Sequence, residues 1–103
     1  VTSPAVKAVF GRVTADRAKR EEAEKAVADE QGRLKEITDN QARIRANIER
    51  VPKESQAFQR YLKKFDEQET EIETRQARVR ELQAAMDRQK KELDEFLKTA
   101  TAE

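Results

Sequence analysis

The sequence predicts an all-α fold, an antiparallel two-helix coiled-coil hairpin with long helices over about 4–50 and 55–99. Three observations carry this prediction. Apolar residues recur at steps of three and four through both halves of the 103-residue chain, the mark of helices paired along a heptad seam. One of only two prolines, Pro52, stands almost at the midpoint. With 42% charged residues, 5% aromatics and two glycines, the composition is that of long helices and coiled coils. A disordered chain of equal polarity would not sustain a helical period.

The first helix is predicted to begin at Ser3-Pro4. A serine hydroxyl accepts from the first free amides, and proline fits the first helical position, where its missing N–H costs nothing. Gly11 and Gly32 lie inside the span, each costing roughly 1 kcal/mol against alanine, and Gly32 is the expected weak spot. Counting back from the hinge gives Val51, Ile48, Ile44, Gln41, Ile37, Leu34, Glu30, Val27, Ala23, Arg20, Asp16, Val13, Val9 and Val6. Ten of these fourteen positions are apolar, with a polar gap near Asp16 and Arg20.

The hinge is read as Val51, Pro52, Lys53, Glu54 and Ser55. Proline removes a backbone donor, clashes with the carbonyl of Ile48 and pushes Val51 out of the helical region. Ser55 is the expected cap of the second helix, without a Glu or Gln at 58 to complete a capping box. In that helix Phe58, Phe65, Ile72, Val79, Met86, Leu93 and Ala100 recur at a spacing of seven, with Leu62, Leu82, Phe96 and Leu97 filling parts of a second line.

Two arms of nearly equal length, each about 70 Å at 1.5 Å per residue, can cover each other if the chain folds back. A kinked rod is the alternative. With the hinge centred on Lys53, facing numbers add to about 106, so Ile48 meets Phe58, Ile44 meets Leu62, Leu34 meets Ile72, Val27 meets Val79, and Phe10 meets Phe96. The predicted seam is Val27, Leu34, Ile37, Ile44 and Ile48 against Phe58, Leu62, Phe65, Ile72, Val79, Leu82, Met86 and Leu93.

The charges nearly cancel, 22 basic against 21 acidic, but they are banded. Residues 41–65 at the tip carry seven basic and two acidic side chains, net +5; the middle, 21–40 with 66–85, nets −7; the open end nets +3. Facing segments therefore match in hydrophobicity without opposing each other in charge. Pairs along each helix, Glu21 with Lys25, Asp29 with Arg33, Glu71 with Arg75 and Asp94 with Lys98, are expected to neutralise part of this. The basic tip, Arg43, Arg45, Arg50, Lys53, Arg60, Lys63 and Lys64, is the candidate interaction surface, and its default reading is a solvated end. Its aromatics, Phe58, Tyr61 and Phe65, belong to the seam, so nucleic acid is not the expected partner.

Catalytic chemistry has little to stand on. The chain contains no histidine, no cysteine and no glycine-rich phosphate loop, so no catalytic, cofactor or metal residues are assigned. The carboxylates Glu67, Glu69, Glu71 and Glu73 turn about 200° apart at successive steps of two and do not converge. Glu69 falls near the seam, either as a charge reaching outward from its edge or as a register device with Arg33, Arg43 or Gln41. Gln41, Gln76 and Gln83 are read as polar residues flanking the core. No apolar run reaches membrane-span length.

The run DNQARIRANIERVPKESQAFQRYLKKFDEQETEIE, within residues 39–97, resembles the C-terminal helical segment of bacterial mucoidy-inhibitor-A-like proteins. The resemblance covers just over half the chain and rests on a coiled-coil segment; asparagine and arginine before the hinge and YLKKFDEQE after it carry it. It implies a helical hairpin beside a β-rich region, a bacterial source and, as in members with export signals, an exported location. It supplies no catalytic residue. The start at Val1 instead of methionine fits a fragment of a larger protein.

The expected function is that of a structural or protein-interaction coiled-coil module, not an enzyme, acting as a homodimer (a four-helix bundle) or by docking on another domain of its parent. No cofactor and no small-molecule substrate are expected. The alternative is a basic-tipped arm for nucleic acid or another polyanion.

Overall fold

The computed structural model describes residues 3–102, with side chains described for 3–100. Two α-helices account for almost all of it: α1, Pro4–Arg50, and α2, Gln56–Ala102. No strand occurs among the described residues. The fold is the predicted helical hairpin, with α2 running three residues beyond its expected end. No helix is long and apolar enough to cross a membrane.

Both helix starts follow from their serines. Ser3 Oγ accepts from Val6 N at 3.2 Å, with Pro4 as the first helical residue. At the hinge, Ser55 Oγ donates to Pro52 O at 2.6 Å and accepts from Phe58 N at 3.1 Å. Ser55 N also donates to Pro52 O, at 3.0 Å, closing a tight turn that contains no positive φ. α1 stops at Arg50, two residues before Pro52, as proline chemistry requires. Gly11 and Gly32 interrupt nothing and lie within continuous helix with open space around the position of a Cβ.

The chain divides into two compact units, Val1–Ala28 with Arg80–Glu103, and Asp29–Val79. The second contains the hinge. Its core is Ile44, 2% exposed, and Ile37, 3% exposed, with Leu34, Ile48, Phe58, Tyr61, Phe65, Ile72 and Val79 half-buried. In the first unit Val27 is the buried hydrophobic residue, and Val9, Ala23, Leu82, Met86, Leu93, Phe96 and Leu97 are half-buried.

One member of the predicted seam is misplaced. Leu62, expected opposite Ile44, is 42% exposed. Gln68, which is buried, and the half-buried Phe58, Tyr61, Phe65, Ile72, Arg75, Val79, Leu82, Met86, Gln89, Leu93, Phe96 and Ala100 form one line along α2, a step of three followed by a step of four throughout. Leu62 lies four residues after Phe58, which turns it off that line, and Tyr61 occupies the seam instead. Phe10 is also displaced. It is 66% exposed, and the ring of Phe96 is covered by the Arg12 guanidinium, 5.0 Å from its centroid.

Candidate interaction surfaces

In the hinge-containing unit, the seam is interrupted by amides between Ile37 and Ile44. Gln41 and Gln68 are both buried, and each reaches across to the other helix. Gln41 Nε2 donates to Glu69 Oε1 at 2.8 Å, and Gln68 Nε2 donates to Asn40 Oδ1 at 2.7 Å. Neighbouring residues on α1 thus hold neighbouring residues on α2. This is a two-rung polar layer that a slipped register would leave unpaired. Glu69 satisfies both sequence readings: its residue is exposed at the seam's edge, while its carboxylate holds Gln41. Gln76 and Gln83, expected to flank the core, are exposed.

Two to three turns further from the hinge, charge crosses the seam. Arg75 Nη1 lies 2.9 Å from Glu30 Oε2 and its Nε 3.0 Å from Glu71 Oε1. Arg33 joins Glu71 at 3.3 Å and Glu36 at 3.1 Å. The result is an alternating chain, Glu30, Arg75, Glu71, Arg33, Glu36, that ties α1 to α2 twice. The hydrogen bond from Arg75, and after it that from Arg33, holds the Glu71 carboxyl below its ordinary range against the opposing effect of burial. The bond to Glu30, followed by that to Glu71, raises Arg75 above its ordinary value.

Band-level charge counting predicted no opposition of charge across the seam, and at residue level that expectation fails. The acidic middle holds individual arginines placed against individual glutamates. Of the pairs expected along the helices, Glu71 with Arg75 forms at 3.0 Å. Glu21 takes Arg17 instead of Lys25, and Arg33 turns to Glu36 and Glu71 instead of Asp29. Across this unit, facing numbers add to between 104, for Arg33 with Glu71, and 110, for Gln41 with Glu69. That range brackets the predicted 106.

The cations expected at the tip lie on the last turns of α1, in the turn and on the first turns of α2. Arg43, Arg45, Arg50, Lys53, Arg60, Lys63 and Lys64 are all exposed. Arg45 lies over the Phe65 ring, 5.5 Å from its centroid. In the hinge, Val51 and Ser55 are half-buried and Pro52, Lys53 and Glu54 exposed.

In the other unit, the expected polar gap proves to be a buried carboxylate. Asp16 is 7% exposed, accepts from Arg12 Nε at 3.2 Å, and offers its backbone carbonyl to Gln89 Nε2 at 3.4 Å. Arg20 faces outward toward Glu24, at 3.9 Å. Beyond this layer lies an open groove of about 520 Å³ lined chiefly by Val6, Val9, Phe10, Phe96 and Ala100. Val6 and Phe10 are large apolar side chains left exposed on its α1 side, and Val13, at helical spacing from them but outside the groove, is exposed as well.

Sequence reasoning missed Asn40, Gln68, Arg75 and Gln89 as seam residues. The signal was present in Leu82 and Phe96, each three residues after a member of the unbroken seven-residue line. Extending that offset backwards points to 61, 68, 75 and 89. Hydrophobicity alone skips them because most are polar.

The carboxylate run behaves as expected for divergent side chains. Glu69 and Glu71 are engaged separately by Gln41 and by arginines. Among the described residues no group of three or more His, Cys, Asp or Glu side chains is arranged to hold a metal ion. Fold and surfaces define the chain as a two-helix hairpin with a part-polar seam, a cationic tip and an apolar open end. No family model, curated protein or solved structure matches it.

Proposed function

We propose that the protein is a non-catalytic coiled-coil interaction module that self-associates through its open end. The exposed stripe Val6, Phe10 and Val13 beside the apolar groove supports this reading. A helix in water gains nothing by presenting a phenylalanine and two valines on one face, and burying them against a like face recovers hydrophobic free energy. A two-fold crossing of two α1 helices at Phe10 sets Val6 of one copy near Val13 of the other, a self-complementary contact. The scarcity of buried apolar residues favours association too: among the described residues three hydrophobic side chains are buried, against three polar ones. A lone seam of that kind is marginal, and a bundle of two hairpins adds core.

Sedimentation equilibrium tests the reading. Association predicts a mass approaching twice the 11.9 kDa of the chain as concentration rises, and a return to the single-chain mass in Phe10→Asp. A single-chain mass at every concentration, or an association untouched by Phe10→Asp, contradicts it.

A further inference from the structure

Eight ion pairs join charged side chains at positions 12–39 and 71–75. None includes a tip cation. Arg43, Arg50, Lys53, Arg60, Lys63 and Lys64 are exposed and without an ion-pair or hydrogen-bond partner among the described residues, and Arg45 is engaged only by the Phe65 ring. For Arg43 and Arg60 a local reason is visible. Asp39, one turn before Arg43, is taken by Lys35 at 3.0 Å. Arg60 has Gln56, Ala57, Lys63 and Lys64 at helical-neighbour spacing, so no carboxylate can reach it along the helix. Like charges gathered on one end repel each other, a cost in stability that ion pairs elsewhere in the same chain offset.

We infer that this tip is a binding surface for the phosphate backbone of double-stranded nucleic acid, read without regard to sequence. The cations project from the end of α1, from the turn and from the start of α2. A phosphodiester chain presents anions at a density that such a cluster can neutralise while releasing counterions. Sequence-blind duplex binding is favoured over single strands because single-strand grooves add exposed aromatic platforms. Here Phe58, Tyr61 and Phe65 are half-buried in the seam. It is favoured over an acidic protein because specific protein interfaces carry an apolar centre. Leu62 is the one large hydrophobic side chain exposed near the tip. The sequence alone gave these cations as a solvated end; their lack of intramolecular partners is what changes the reading. The inference uses the tip only and is independent of association at the open end.

The test is fluorescence anisotropy of labelled DNA duplexes of unrelated sequence, titrated with the full chain between about 50 and 200 mM salt. The expected result is equal affinity for all duplexes and a log–log salt slope of about −0.9 per phosphate engaged. Replacing Arg60, Lys63 and Lys64 together by glutamine should weaken binding and flatten that slope by about 2–3 units. Replacing Lys19, Lys25 and Lys90, exposed cations outside the tip, should leave the slope within one unit of wild type. Circular dichroism confirms that both triple variants remain helical. Absence of binding at the lowest salt overturns the inference, as does equal loss in the two triple variants. Tighter binding to a single strand, or to polyglutamate, reassigns the tip to those partners and overturns it as well.

Discussion

Gln68 gives its amide hydrogen to Asn40 at 2.7 Å while its own carbonyl oxygen, Oε1, is buried with no hydrogen-bond partner. One side chain thus fixes how α1 and α2 are aligned and carries an unmet cost for doing so. An unsatisfied buried acceptor costs on the order of 1–3 kcal/mol, comparable to or more than the hydrogen bond on the other side of the amide returns.

Gln68→Leu is therefore expected to stabilise the hairpin, by about 1 kcal/mol, since it removes the orphaned oxygen and leaves Asn40 half-exposed to water. Urea denaturation midpoints measure this. A loss of stability would mean that Oε1 is hydrated or paired in solution.

Phase along α2 makes a second prediction. Ile44→Ala, at the most buried position, should cost about 2–4 kcal/mol, whereas Leu62→Ala should cost under about 0.5 kcal/mol. Comparable losses at the two sites would place Leu62 back in the seam.

Acid should weaken the hairpin through Glu71. Its carboxyl is held below the ordinary 4.5, chiefly by Arg75, so on acidification the unfolded chain takes up this proton first. The contribution is complete above the ordinary value and disappears as pH falls through the lower, folded one. Arg75, raised further, stays charged throughout. Glu71→Gln should flatten the fall in melting temperature below pH 4.5, and Glu73→Gln, an exposed neighbour without an ion pair, should leave it steep. Identical acid profiles for wild type and Glu71→Gln would contradict the network.

Gly32→Ala should raise stability by about 1 kcal/mol, because the glycine lies in unbroken helix and nothing stands within 4 Å of the added Cβ. A lower thermal midpoint would indicate that α1 bends at Gly32.

How much of this was legible in the sequence differs by element. Ser3, Pro4, Pro52 and Ser55 act locally, through caps and a missing N–H, so both ends of α1 and the hinge could be read from single residues. The α1 seam was equally legible because Ile37, Ile44, Ile48 and Val51 fix its phase without help. In α2 the apolar residues mark one line clearly and the second only at Leu82 and Phe96, so a leucine at position 62 was an attractive false member. Polar seam residues were the hardest to find. A glutamine or arginine becomes a core residue only when its partner on the other helix is known, and the pairs Gln68 with Asn40 and Arg75 with Glu30 are 28 and 45 positions apart. The tip was visible as a cluster of charge. The freedom of Arg43 from an ion pair depends on a choice made elsewhere in the helix, since Asp39 is taken by Lys35.

The most direct test of the fold-back register is a spin-label distance between Thr38 and Thr70, each replaced by cysteine in a chain that has no cysteine of its own. Both positions are exposed and lie in the hinge-containing unit. With labelled chains diluted in unlabelled ones, the antiparallel pairing predicts a distance under about 25 Å, from helix axes 8–10 Å apart plus the label arms. A distance near 48 Å, the length of about 32 residues of continuous helix, would contradict it.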